Sequence, residues 1–231
     1  MQRIVIMIRF RHILLALLLL ATTTLGARAQ SGGLWLGVRA GHNVVFGGFS
    51  ALHVRAIQRF ADNLAVDAGV QYNTIGRTAV EARPSYSLEF AWGRVSAEAL
   101  LAFANQTSIN TLSAGVGAGL STRWVGAKVG CYYRMFGGQG GQIVEPLNLY
   151  YEFSANLLPR REEWKLQLLA TNCEMFEIER HYQPTFIVEC HHNPNSALGI
   201  SFGLGCKPAG MFNLSADYYQ SFAKMEVSYR W

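Results

Sequence analysis

MEVSYRW, residues 225–231, closes the chain. Taken alternately, Met225, Val227, Tyr229 and Trp231 are apolar, while Glu226, Ser228 and Arg230 between them are polar. Successive side chains of a strand leave opposite faces, so the stretch reads as a strand with one apolar and one charged face. What each face meets decides the fold.

The same alternation recurs upstream. Leu64, Val66, Ala68, Val70 and Tyr72 alternate with Ala65, Asp67, Gly69 and Gln71. Pro84, Tyr86, Leu88, Phe90 and Trp92 alternate with Arg83, Ser85, Ser87, Glu89 and Ala91. Val125, Ala127, Val129, Cys131 and Tyr133 alternate with Gly126, Lys128, Gly130, Tyr132 and Arg134. These segments run to about 9–12 residues, against about 5–6 for ordinary strands. A tilted strand crossing a bilayer needs about 9–11.

The polar face carries Arg39, Arg55, Asp67, Glu89, Glu98, Lys128, Arg134, Glu152, Lys165, Glu189, Glu226 and Arg230. So many charges do not fit a sandwich core. The apolar face is therefore expected to meet lipid, and the polar face to line an interior. A membrane crossing requires every backbone polar group to be paired, which for strands means closure. The expectation is an all-β fold, a closed antiparallel transmembrane up-and-down β-barrel. Its strands are drawn at 34–43, 49–60, 63–73, 79–92, 94–105, 110–123, 125–136, 146–157, 164–173, 184–192, 197–206 and 221–231. Aromatics at Phe60, Trp92, Trp124, Trp164 and Trp231 mark one rim. Phe212, Leu214, Ala216 and Tyr218 also alternate. They extend the last hairpin or add a strand pair, making fourteen.

MEVSYRW resembles the carboxy-terminal signal of bacterial outer-membrane β-barrel proteins, a porin-like superfamily. The resemblance implies that Met225, Val227, Tyr229 and Trp231 are read by the barrel-assembly machinery during insertion. FEIERHYQP (176–184) and KPAGMF (207–212) resemble pieces of uncharacterised Bacteroidota barrels, which imply no activity.

The first 29 residues read as a cleaved signal peptide. Arg3, Arg9 and Arg11 precede an apolar run from residue 13 to 21, and Ala27-Arg28-Ala29 is a small-x-small cleavage site. The run falls short of the about 20 residues of a transmembrane helix. Residues 30–231 are then the barrel, exported to the outer membrane of a Gram-negative bacterium. Of the twenty basic residues, Arg3, Arg9, Arg11 and Arg28 fall in the leader, with none of the fifteen acidic ones. The remainder is nearly neutral, which argues against a nucleic-acid partner.

No residue set announces chemistry. Cys131, Cys173, Cys190 and Cys206 lack metal-ligand spacing and read as small apolar residues. His191 and His192 are adjacent, and neighbours on a strand face opposite ways, so a shared metal is awkward. Glu177, Glu179, Arg180 and His181 form a polar cluster that reads as a solvated loop, with a cation or sugar site as the alternative, within a connection drawn at 174–183. Gly137, Gly138, Gly140 and Gly141 read as a flexible connector without the Lys-Ser/Thr of a phosphate loop. Gly115, Gly117 and Gly119 share one face and leave room for side chains reaching across the lumen. The six basic and six acidic inward residues either line a balanced aqueous path or pair across the barrel and close it.

The expected function is a porin-like or transport-related barrel, with the lipid bilayer and a small solute as partners and no cofactor. Two alternatives stand beside it: a membrane enzyme acting on lipid or lipopolysaccharide, and a non-catalytic scaffold or surface-binding barrel.

Overall fold

The computed structural model describes residues 31–45, 47–106, 109–138, 141–158, 163–178, 183–208 and 218–231, the side chains of 218 and 219 excepted. The expected leader lies outside them, as do Phe212, Leu214, Ala216 and residues 179–182. The elements are β1 (Ser31–Asn43), β2 (Gly47–Ala61), β3 (Leu64–Asn73), β4 (Arg77–Phe90), β5 (Gly93–Gln106), β6 (Ile109–Ser121) and β7 (Val125–Gly138). They continue with β8 (Gly141–Asn156), β9 (Trp164–Thr171), β10 (Cys173–Glu174), β11 (Glu177–Ile178), β12 (Thr185–His192), β13 (Leu198–Pro208) and β14 (Tyr218–Arg230).

Twelve of these form a closed antiparallel barrel in the order β1-β14-β13-β12-β9-β8-β7-β6-β5-β4-β3-β2. The wall closes between the first and last strands, from Gly33 opposite Arg230 to Asn43 opposite Gln220. Closure leaves no sheet edge around the seam. The alternation explains the two surfaces. Leu36, Leu88, Val129 and Phe202 stand outward and exposed, as do Met225, Val227, Tyr229 and Trp231 of the closing strand. This apolar belt is the outer surface that lipid requires. At the rim holding both ends of the described chain, Phe90 stacks on Trp92 with ring centroids 5.4 Å apart.

Two prolines sit where the hydrogen-bond ladder is interrupted. Pairing between β4 and β5 skips Arg83 and Pro84 while keeping register on either side. Between β7 and β8 the register shifts between Tyr132 and Arg134, opposite Pro146 and Leu147. Proline has no N–H to give a ladder, so both positions fit it.

The barrel has twelve strands rather than the alternative fourteen, and β13 pairs directly with β14. Gly137 and Gly138 end β7 and Gly141 opens β8, so the hairpin runs on where a flexible connector was expected. Gly141 has φ +116°, which favours glycine. The ninth strand ends at Thr171, short of the expected 173, and the connection beyond it turns inward as the β10–β11 pair.

Candidate functional site in the lumen

Thr171 and Asn172 are completely buried, and Asn172 redirects the chain. Its side-chain amide donates to the Leu149 carbonyl at 2.9 Å, and its side-chain oxygen accepts the Tyr151 N–H at 2.7 Å. The side chain thus takes the place of a strand neighbour on β8, and the backbone is free to leave the wall. Residues 172–178 then cross the lumen.

The wall is built to hold this segment. Arg83 donates to the Cys173 carbonyl at 3.2 Å, Arg77 to the Phe176 carbonyl at 2.6 Å, and Arg134 to the Ile178 carbonyl at 2.5 Å. Glu81 accepts the Phe176 N–H at 2.7 Å and also pairs with Arg83. Side chains therefore replace the missing sheet partners of a buried backbone. The segment's own carboxylates are pinned too. Arg39 reaches Glu174 at 3.0 Å and Glu177 at 3.4 Å. Lys207 meets Glu177 at 2.5 Å, and Lys224 meets Glu174 at 3.2 Å. Burial alone would push the Glu177 carboxyl up, but Arg39, Lys207 and Arg77 outweigh it and hold it well below the usual carboxylate range.

Phe176 is the centre of the segment. It is 4% exposed and has φ 69°, an uncommon conformation for a bulky residue. Gly69 on β3 is its socket: a Cβ there would lie 2.7 Å from Phe176 Cζ. The Phe176 ring also lies 6.0 Å from that of His53 on β2. Behind the segment, Cys173 packs with Leu100, Tyr132 and Tyr150. Burial pushes its thiol up to about 11, which keeps it neutral.

Cavities on either side show the consequence. A cavity of about 420 Å³ lies between the segment and the rim of the termini, touched by Glu174 and Met175. It shares Asp67, Ser85, Glu98, Lys128 and Glu152 with a vestibule of about 340 Å³ at that rim. A third cavity, about 230 Å³, lies beyond the segment and is touched by Glu177 and Ile178. The first and third have only Phe176 in common. The first cavity and the vestibule adjoin along one stretch of wall, and residues 172–178 stand between the first cavity and the third.

The sequence-derived charges distribute as follows. Arg55 and Asp67 form a wall pair at 2.7 Å. Lys128 holds Glu98 at 3.0 Å and stands 4.0 Å from Glu152. Glu189 meets Lys224 at 3.0 Å and His191 at 3.3 Å, and Glu226 meets His53 at 2.9 Å. Arg134 lies 3.9 Å from Glu145 and Arg230 donates to Asn193 at 3.1 Å. Lys165 stands opposite His191 in the sheet. Glu89 pairs with Arg94 at the rim, where both are largely exposed.

Alternation places Arg83 and Lys224 on the polar face, though the set of inward charges leaves them out; Arg77, Glu81, Glu145 and Lys207 were missed. Continuing the β4 alternation back from Arg83 would have found Glu81 and Arg77. Glu174 was not singled out, and Glu177 was read as part of a solvated loop. Both are partly buried inside the barrel because the wall supplies countercharges and donors for the backbone that carries them. Gly117 and Gly130 accommodate Tyr150 from the same side of the wall rather than from across the lumen: a Cβ at Gly117 would lie 1.8 Å from its hydroxyl oxygen, and one at Gly130 2.3 Å from its Cε1. Tyr150 donates to Glu98 at 3.1 Å. All four cysteines are free.

No protein-family model matches the chain, and no curated protein matches it in sequence. Solved structures do match in fold. The translocator domain of the autotransporter NalP from Neisseria meningitidis aligns with TM-score 0.57 at 10% identity, over 97% of this chain and 95% of that one. The NanC porin aligns with TM-score 0.55 at 10% identity, over 84% and 98%. An outer-membrane channel from Pseudomonas putida F1 aligns with TM-score 0.54 at 9% identity, over 89% and 96%. At these identities the likeness is one of fold, that of outer-membrane barrels.

Proposed function

We propose that this protein is an outer-membrane channel for small hydrophilic solutes, narrowed at one level by residues 172–178. The apolar outer belt faces lipid, and the rim of the termini faces the periplasm. Met225, Val227, Tyr229 and Trp231 present the assembly machinery with the closing strand. The inward charges, from Arg39 to Arg230, line the solute path.

The observation that carries this reading is the lumen itself. It is charged, and between residues 172–178 and the rim of the termini it holds adjoining cavities of about 420 and 340 Å³. A barrel core meant only to be filled would not leave such water-sized space beside so many ionised groups. The fold shared with a porin and an outer-membrane channel supports the same reading. The test is reconstitution of the purified protein in planar bilayers. Discrete current steps in salt are expected. Silence across voltage and salt, for the wild type and for a Phe176→Gly variant alike, would instead favour a non-conducting scaffold.

A further inference from the structure

The basic groups around the partition converge on two carboxylates. Glu174 and Glu177 stand opposite each other in the β10–β11 pair. Residues so paired have Cα atoms about 5 Å apart. Both reach the one guanidinium of Arg39, Glu174 through Nη1 at 3.0 Å and Glu177 through Nη2 at 3.4 Å. Lys224 adds a second cation to Glu174, and Lys207 adds one to Glu177. Arg77 also lies close enough for its charge to act on Glu177.

The cradle is also fixed in place. The Arg39 guanidinium lies 3.4 Å from the centroid of the Phe222 ring. Phe222 in turn lies flat against Gly205, where a Cβ would fall 2.2 Å from its Cζ. Phe222 belongs to a buried cluster with Phe49 and Ile187. A guanidinium held on a ring, hydrogen-bonded to one carboxylate and within ion-pair distance of a second, is an arrangement that draws acidic groups. Nothing in it requires those groups to be covalently part of the chain.

We propose that Arg39, Arg77, Lys207 and Lys224 form a binding site for dicarboxylate solutes, and that Glu174 and Glu177 fill it in the closed barrel. Rested on the channel reading, this names the solute class: a small molecule whose two carboxylates lie close enough together to share one guanidinium. Such a solute replaces the charge of Glu174 and Glu177, and the segment yields as it binds.

The test is calorimetric titration of the detergent-solubilised barrel with succinate, with acetate as the single-carboxylate comparison. In a Glu174→Gln/Glu177→Gln variant the cradle keeps its shape and loses its internal anions. Succinate is expected to bind that variant about tenfold or more tightly than the wild type, an effect on the scale of one charge-assisted hydrogen bond. Adding Arg39→Gln to the variant should abolish the gain, and acetate should show little of it. Equal succinate binding in wild type and variant, or a gain that survives loss of Arg39, overturns the proposal. A Phe176→Gly variant keeps every charge and releases only the ring. It should bind succinate more tightly than the wild type, and unchanged binding there counts against the proposal even where the double variant does not fold. Binding without any current in bilayers sinks the channel reading and keeps the site. Current with no succinate binding in any variant does the reverse.

Discussion

In the half of the lumen nearer the termini, Arg55 holds Asp67 and Lys128 holds Glu98 along the wall. One level further, Arg39 and Lys207 hold Glu174 and Glu177, which belong to a segment crossing the middle. The residue types are the same, and the outcomes differ. Pairs along the wall spend their charge on each other and leave the centre to a cavity of about 420 Å³. Pairs from wall to segment draw chain into the centre and partition it. The position of the acid partner, more than the number of charges, decides whether a charged lumen is open.

The largest effect should come from removing the segment's charges. Glu174→Gln/Glu177→Gln should raise single-channel conductance several-fold, while Asp67→Asn should leave it near the wild-type value. Equal effects of the two in bilayer recordings would erase the distinction between wall and segment pairs.

A smaller effect is expected from overfilling the two glycine sockets. Gly69→Val intrudes on Phe176, and Gly117→Val intrudes on Tyr150. Overpacking typically costs about 1–3 kcal/mol, so both should lower thermal stability. Only Gly69→Val should also raise conductance, since Tyr150 belongs to the wall and Phe176 to the partition.

Acidity gives a more modest shift. Docking holds Glu177 below its ordinary value of 4.5, so the contribution of this carboxylate to docking is fully present above that value. It is lost as pH falls through the depressed docked value. Conductance should stay level from about pH 8 to pH 5 and rise only in stronger acid. A rise centred near neutrality would assign the closure to another group. The smallest expected change is in selectivity: Asp67→Asn leaves Arg55 without its partner and should move the reversal potential toward anions with little change in current.

Much of the wall was legible because strand alternation is a property of the peptide itself. Leu64 to Tyr72 or Val125 to Tyr133 declare their faces without any knowledge of neighbours, and the aromatics at Trp92 and Trp231 mark where strands stop. The partition was not legible in this way. Residues 172–178 have no period, and their partners come from Arg39, Gly69, Arg83, Arg134 and Lys207, each on a different strand. A polar run such as Glu177 to His181 usually seeks water. Only the assembled barrel reveals that countercharges wait inside.

Thr171 and Thr185, the ends of β9 and β12, face each other as a sheet pair. The stretch between them is therefore a short leash with both ends knotted to one spot. Its carboxylates can be pushed aside, yet they cannot diffuse away. A short tether keeps a group at an effective concentration on the order of millimolar. Any dissolved rival must match that standing competition, so the concentration for half-maximal occupancy should be raised by a constant factor that a looser tether would lower.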